Sequence, residues 1–300
     1  MKIGVLLGGN SAEREVSLAS GKAISAACKE LGHDVLDLDP EFDMKLLVPD
    51  LLTVDLVFNG LHGGDGENGV IPGFLQSLGV KYTGSKTEAS AICMDKRISK
   101  ALVHRKDLLT PNWVSLANND PLPSVGDMVF PVVIKPNDQG STIGLTVVKG
   151  ESELDAAIEL ARQFANVVLI EEFIVGKEIT VTVIGDKAYP IVEIVPSHGL
   201  YDYECKYNKG MTEYFCPANI DKDLTKAIQE SALKIHKLLG CRHYSRVDFR
   251  LDKNGRAWFL ELNTLPGMTE TSLVPKAAKA SGLSFPELIQ TIINEALENR

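Results

Sequence analysis

The chain has 300 residues, 44% hydrophobic and 24% charged, an ordinary globular composition with length for two or three domains of about 100–200 residues each. Its net charge of −9 argues against a general nucleic-acid or membrane surface, so an anionic ligand must be met by local basic clusters. Five scattered cysteines without Cys-x-x-Cys spacing, no apolar run of membrane-spanning length and no basic-then-apolar leader point to the reducing cytoplasm and no zinc site.

Residues 1 to about 84 alternate strand and helix. Lys2–Leu7 reads as a buried strand, Gly8-Gly9-Asn10 as a turn, and about Val16–Leu31 as a helix closed by Gly32. Short strands follow at Val35–Leu38 and Leu56–Phe58, then a helix Val70–Leu78 stopped by Gly79 and a strand Val80–Tyr82. Such alternation implies a parallel sheet covered on both faces, with ligands beyond the carboxyl ends of its strands. Two loops lie there: Gly8–Glu15, carrying Glu13, and Gly60–Gly69, carrying His62 with Asp65 and Glu67. A histidine among glycines fits a flexible turn as well as a ligand contact, and Glu13 fits a first-turn charge pattern as well as a binding role.

A second unit runs from 85 to 175. It opens with a helix containing Met94-Asp95-Lys96-Arg97 and continues with a strand ending at Lys135, the loop Asn137–Gly144 and a return strand. Two glycines and the hydroxyls of Ser141 and Thr142 suit that loop to a phosphate as well as to an ordinary hairpin. Lys135 closes the apolar run Val132-Val133-Ile134, where an ammonium calls for an anionic partner or a route to solvent. A helix from Ser152, with a capping-box spacing to Asp155, leads to the strand Val167–Glu172. Glu171, Phe173 and Ile174 at its end read either as an adenine-binding edge or as the polar end of a core strand. Glu178 reads as a ribose contact or a strand cap.

The third unit, 176 to 300, starts with the alternating strand Glu178–Ile184, a Gly185-Asp186 turn and a return strand. The segment Leu200–Thr212, with Tyr201, Lys206 and Tyr207, has the composition of a mobile lid or a solvated loop. An amphipathic helix Asp221–Leu239 precedes the most informative stretch. Arg246-Val247-Asp248 and Glu261-Leu262-Asn263 read as strands of one hairpin around Asn254-Gly255. A loop of Lys253 to Arg256 sets Asp248 opposite Glu261 and Arg246 opposite Asn263, all on one face. Two carboxylates and a carboxamide so placed suit a hard cation such as Mg²⁺, or form a charged solvent face. Next, Leu265-Pro266-Gly267 aims backbone N–H groups at whatever the cation would hold, ahead of Ser272 and Leu273.

Taken in order, Gly8-Gly9-x-Ser11-x-Glu13-x-Glu15-x-Ser17, Leu61-His62-Gly63, Met94-Asp95-Lys96, Ile134-Lys135-Pro136, Gly140-Ser141, Tyr201-Asp202-Tyr203-x-x-Lys206-Tyr207, Arg246-x-Asp248 and Glu261-x-Asn263-x-x-Pro266-Gly267-Met268-Thr269 resemble the D-alanine–D-alanine ligases of the ATP-grasp superfamily. The resemblance covers residue 3 to about residue 290. It implies an α/β, three-domain ATP-grasp ligase architecture: an N-terminal parallel-sheet (pre-ATP-grasp) domain over 1–84, a central ATP-grasp subdomain over 85–175, and a C-terminal one over 176–300 with the metal site and lid. It further implies an ADP-forming C–N ligase of peptidoglycan precursor synthesis, cytoplasmic and homodimeric, acting on ATP and two D-alanines through an acyl phosphate.

By position, the resemblance gives Glu13 and His62 to the first substrate, with Ser141 holding Glu13 and the lid. It gives Lys96, Lys135, Thr142 and Lys206 to the phosphates, Glu171, Phe173 and Ile174 to adenine, and Glu178 to ribose. Asp248, Glu261 and Asn263 fall to Mg²⁺ or Mn²⁺, Arg246 and the Gly267 N–H to developing charge, and Ser272, Leu273 and Tyr207 to the second substrate. The alternatives are another ATP-grasp carboxylate–amine or carboxylate–hydroxyl ligase, such as one making D-alanyl-D-lactate, or a catalytically idle nucleotide-binding regulator.

Overall fold

Side-chain alternation decides which face of each sheet is core and which faces the cleft. A computed structural model describes residues 1–41, 43–118, 120, 129–197 and 210–298. In the first unit, β1 (Lys2–Leu6), β2 (Asp34–Leu38) and β3 (Leu56–Asn59) form a parallel sheet in the order β2-β1-β3. The expected strand Val80–Tyr82 contributes a single parallel bridge, Tyr82 to Val57. Ile3, Val5 and Leu7 face helix α1 (Arg14–Glu30), whereas Leu6 faces helix α2 (Val70–Ser77). Helix α1 lies close on the sheet because Gly21 has no side chain; a Cβ there would sit 2.2 Å from the Leu7 Cβ. His33 N donates to Cys28 O and Gly32 takes φ +81°, the left-handed stop expected of that glycine.

Helices α3 (Thr87–Met94) and α4 (Lys96–His104) replace the single helix expected around Met94–Arg97. Asp95 is extended (φ −80°, ψ 97°), and its carboxylate accepts from Ile98 N at 3.0 Å, capping α4. A side-chain cap outcompetes helix continuation at this residue. The break leaves Lys96 N and Arg97 N free to donate to Asn137 O (3.3 Å) and Oδ1 (2.9 Å), which ties α4 to the small-residue loop.

The central sheet holds β4 (Trp113–Ala117), β5 (Val132–Pro136), β6 (Thr146–Val148) and β7 (Val167–Glu172), antiparallel in the order β4-β7-β5-β6. Val132, Ile134, Val168 and Ile170 pack on helix α5 (Leu154–Arg162). Period two therefore turns Lys135 and Glu171 to the opposite face. The capping box expected at Ser152 does not form. A 3-10 turn, Glu151–Glu153, comes first, and Glu153 spends its carboxylate on Lys149 N at 2.9 Å.

The third sheet runs β11-β10-β8-β12-β13, with β9 also on β8. Its strands are β8 (Gly176–Ile184), β9 (Lys187–Ala188), β10 (Val192–Pro196), β11 (Thr212–Phe215), β12 (Tyr244–Asp252) and β13 (Ala257–Asn263). Helices α3, α4 and α6 (Lys222–Leu238) cover the face bearing Ile179, Val181, Val247, Phe249 and Phe259. The polar–apolar alternation read in β8 does not translate into exposure: Ile179 through Val183 are all buried, because the second face is covered too. Helices α7 (Leu273–Ala280) and α8 (Phe285–Leu297) share one core with the first sheet, where Ile3, Ile24 and Phe58 cluster with Tyr244, Val274 and Ile289. That shared core presses the segment between Leu265 and Ser272 toward the end of the first sheet.

The β12–β13 hairpin reaches the expected register by another route. Leu251 pairs with Ala257, so the turn spans Asp252–Arg256, and a bulge between Asp248 and Phe249 on the partner side restores Asp248 opposite Glu261 and Arg246 opposite Asn263. Asp252 organises the turn, accepting from Asn254 N (2.8 Å), Arg256 N (3.0 Å) and Trp258 Nε1 (3.1 Å). Gly255 takes φ +76°, as the Asn-Gly signal requires.

Candidate active site

The cleft between the central and third sheets is lined by Lys96, Lys135, Gly140, Thr142, Glu171, Phe173, Ile174, Glu178, Arg246, Asp248, Arg250, Glu261 and Leu273. Its charges are organised in pairs. Arg246 grips Asp248 with two bonds, Nη2–Oδ2 at 2.7 Å and Nε–Oδ1 at 2.9 Å, and Thr180 Oγ1 donates to the same carboxylate at 2.5 Å. Lys96 Nζ sits 3.3 Å from Glu261 Oε2 and donates to Gln139 O at 2.8 Å. Asp248 and Glu261 face each other across the hairpin, with Asn263 two residues on. This oxygen-only donor set fits a hard divalent cation such as Mg²⁺, with Arg246 and Lys96 as the charges that balance the carboxylates here.

Glu171 is 2% exposed, and its carboxylate is shared between Lys135 (2.9 Å) and Lys100 (3.1 Å). Burial alone pushes the Glu171 carboxyl up, but Lys100 and Lys135 outweigh it and hold its pKa below the ordinary value. Burial pushes the Lys100 ammonium down to about 8, against the pull of Glu171. The Glu171 side chain is thus held by two lysines, and its backbone lies inside the sheet between Trp113 and Val133. Beside it, Arg250 Nε donates to Ile174 O at 3.2 Å, Nη1 lies 3.3 Å from Glu178 Oε2, and the guanidinium stands 5.7 Å from the Phe173 ring.

A second pocket adjoins the cleft and shares Gly140, Arg246, Glu261 and Leu273 with it. Glu13, His62, Ser141, Asn263, Gly267 and Ser272 also line it, as do Glu67 and Tyr214. Ser141 Oγ donates to Glu13 Oε1, joining the central loop to the first unit. Ser141 and Thr142 both sit at positive φ, +52° and +63°, a conformation costly for residues with a Cβ and maintained by its surroundings. The close approach expected of Gly140 does not need a glycine: a Cβ there would lie 3.4 Å from Glu13 Oε2, an ordinary contact. His62 is 6% exposed, with Nδ1 3.5 Å from Glu67 Oε1 and Nε2 3.0 Å from Ser20 Oγ, which in turn accepts from Met268 N. Ser272 Oγ accepts from Thr269 N at 3.1 Å at the start of α7.

A family model described as the D-alanine–D-alanine ligase C-terminus matches residues 102–294. The D-alanine–D-alanine ligase of Aquifex aeolicus is 45% identical over 296 residues, 98% of this chain and 100% of that one. The chain belongs to the D-alanine–D-alanine ligase family. The Halalkalibacterium halodurans ligase is 46% identical over 99% of this chain and 100% of its own length. Among solved structures, the Bacillus anthracis D-alanine–D-alanine ligase complexed with ATP superposes with TM-score 0.89 at 32% identity, covering 99% of this chain and 97% of that one. VanG D-Ala:D-Ser ligase from Enterococcus faecalis superposes with TM-score 0.86 at 32% identity and 99% coverage of both.

For a member of this family, the ligand-facing residues named from sequence converge on the two pockets, apart from Lys206 and Tyr207, which lie outside the described residues. Two supporting residues escaped the sequence reading. Lys100 was signalled by helix period: Lys96, Ser99, Lys100 and Val103 form the buried stripe of α4, and two lysines on a buried stripe demand anions. Arg250 was signalled by strand period, since it continues the face of Arg246 and Asp248.

Proposed function

We propose that this protein is an ATP- and Mg²⁺-dependent D-alanine–D-alanine ligase of peptidoglycan precursor synthesis, with units at 1–84, 85–175 and 176–300. The observation that carries the proposal is the meeting of two pockets at Gly140, Arg246, Glu261 and Leu273: a cleft of paired cations and carboxylates beside a chamber walled by Glu13, His62 and Ser272. A carboxylate in the chamber thereby lies next to a phosphate in the cleft, the arrangement phosphoryl transfer needs.

In this reading Glu13, braced by Ser141, holds the ammonium of the first D-alanine, and His62 orients it. Lys96, Lys135 and Thr142 hold ATP phosphates, Lys206 closes over them, and Glu178 takes the ribose. Glu171, Phe173 and Ile174 flank adenine. Asp248, Glu261 and Asn263 hold Mg²⁺, which when bound neutralises phosphate charge; Mn²⁺ meets the same donors. The D-alanine carboxylate attacks the γ-phosphorus and ADP leaves. The amine of the second D-alanine, held by Ser272, Leu273 and Tyr207, attacks the acyl carbonyl. Arg246 and the Gly267 N–H stabilise the charge on the tetrahedral species, and phosphate departs with the dipeptide formed.

ADP release measured with D-alanine, L-alanine, D-lactate and D-serine tests this. D-alanine alone should sustain turnover and yield the dipeptide. Nucleotide binding without amino-acid-dependent ADP release defeats the enzyme reading, and preference for a hydroxy acid or D-serine as acceptor reassigns the second substrate. The proposal includes a cytoplasmic homodimer, checked by light scattering and fractionation; among the described residues, no helix is long and apolar enough to cross a membrane.

A further inference from the structure

Lys100 has no exposed side-chain surface, so it touches no ligand, yet three groups of the fold surround its ammonium. Its ammonium lies 3.1 Å from Glu171 Oε1, donates to Thr110 Oγ1 at 2.7 Å and stands 5.2 Å from the Trp113 ring. Thr110 in turn donates to Phe259 O at 2.8 Å. These ties fix Lys100 to β7, to the segment before β4, to β4 itself and to β13. The other oxygen of Glu171, Oε2, is 2.9 Å from Lys135 Nζ. One buried carboxylate therefore serves two lysines, of which only Lys135 lines the cleft.

Counting charge shows what this achieves. Lys135 with Glu171 alone is a neutral pair, and the carboxylate is then available to draw the ammonium inward with both oxygens. Lys100 occupies Oε1 and adds its own charge, so the trio carries a net +1, presented to the cleft by Lys135 through the protons Glu171 does not take. In a chain of net charge −9, that surplus has to be built locally.

We propose that Lys100 is a positioning residue for nucleotide binding: through Glu171 it aims Lys135 into the cleft and supplies the positive charge by which Lys135 meets a phosphate. This rests on the reading of the cleft as an ATP site. Burial of Lys100 and its coupling to Glu171 agree with it, since a solvated lysine elsewhere on the surface does not govern the charge of this carboxylate.

Steady-state kinetics on Lys100→Met and Lys100→Arg, with ATP and D-alanine varied separately, test it. Lys100→Met should raise KM for ATP by roughly tenfold or more, leave KM for D-alanine within about twofold and change kcat little at saturating ATP; Lys100→Arg should recover much of the loss. A purely structural role predicts instead a lower kcat with the KM for ATP unmoved. The double variant Lys100→Met/Glu171→Gln releases Lys135 from the carboxylate and should bind ATP better than Lys100→Met alone. An unmoved KM for ATP in Lys100→Met, or a double variant no better than the single one, overturns the proposal. Calorimetric binding of ADP to the same variants gives the same comparison without turnover. A wild-type protein that binds ADP but does not turn over therefore defeats the ligase reading while Lys100 is still decided. Should Lys100→Met fail to fold, the double variant and Lys100→Arg against wild type decide it.

Discussion

Replacing Glu171 by glutamine keeps the shape of the buried cluster and removes its only negative charge. At an effective dielectric of about 20, charges 3.1 Å apart attract by about 5 kcal/mol, and Lys135 at 2.9 Å loses a similar partner while keeping some solvent. The net loss is smaller, because Lys100 has an escape. Its pKa is already down at about 8, so shedding the proton near neutral pH costs only about 1.4 kcal/mol, and less as that pKa falls further. We expect Glu171→Gln to lose about 3 kcal/mol, the low end of the range for breaking a buried pair. At about 2–4 °C per kcal/mol for a chain of this size, the melting midpoint should fall by about 6–12 °C.

The loss should also depend on pH with a definite sign. Lys100 has a folded pKa below its unfolded value of 10.5, so between about 8 and 10.5 the folded protein binds fewer protons than the unfolded chain, and stability rises with pH. In Glu171→Gln that pKa falls further, because the opposite charge is gone while burial and Lys135 still disfavour the ammonium. Its rising window therefore opens at lower pH, and the gap between variant and wild type should shrink as pH climbs to about 8, then level off. Denaturant titrations from neutral pH to mildly alkaline pH read this directly. A loss under about 1 kcal/mol, or a gap that widens with pH, refutes the charge assignment.

Three further outcomes are expected. Glu261→Gln should cut turnover by about a hundredfold or more while leaving the melting midpoint near wild type, read by coupled ADP assay and calorimetry; near-normal turnover removes Glu261 from the metal set. Gly176→Ala should destabilise by roughly 2–4 kcal/mol, because its Cβ would meet the Leu251 carbonyl oxygen at 2.0 Å and force β8 from β12. A melting curve matching wild type means the strands part there without cost. Tyr207→Phe should loosen discrimination against D-lactate as acceptor, judged by the ratio of dipeptide to ester, and an unchanged ratio takes Tyr207 out of acceptor choice.

Strand and helix period carry local information, and what they determine here is which side chains share a face. The sequence alone was enough to place Arg246 and Asp248 on one face of a strand, Glu261 and Asn263 on the same face of its partner, and Lys135 at the end of an apolar run. Because those signals depend on neighbours only two to four residues away, they survive any tertiary context. Turn chemistry was legible in kind but not in detail: Asn254-Gly255 marks the hairpin, yet the five-residue turn and the compensating bulge depend on Asp252 gathering backbone donors around it. The break at Asp95 likewise turned on a side-chain cap in competition with helix propensity.

Only the tertiary structure decided who pairs with whom. Glu171 lies 36 residues from Lys135 and 71 from Lys100 in sequence, and no periodicity reaches that far. Helix α4 packs on the third sheet and sends Lys100 across to Glu171 of the central one, so a carboxylate expected near adenine is also the counter-ion of two lysines. Packing of α7 and α8 onto the first sheet brings Glu13 and His62 to the same chamber as Ser272. The sequence determined the residue types and the faces they occupy. Burial and proximity, which set the charge balance around Glu171 and Lys100, exist only once distant segments have been packed together.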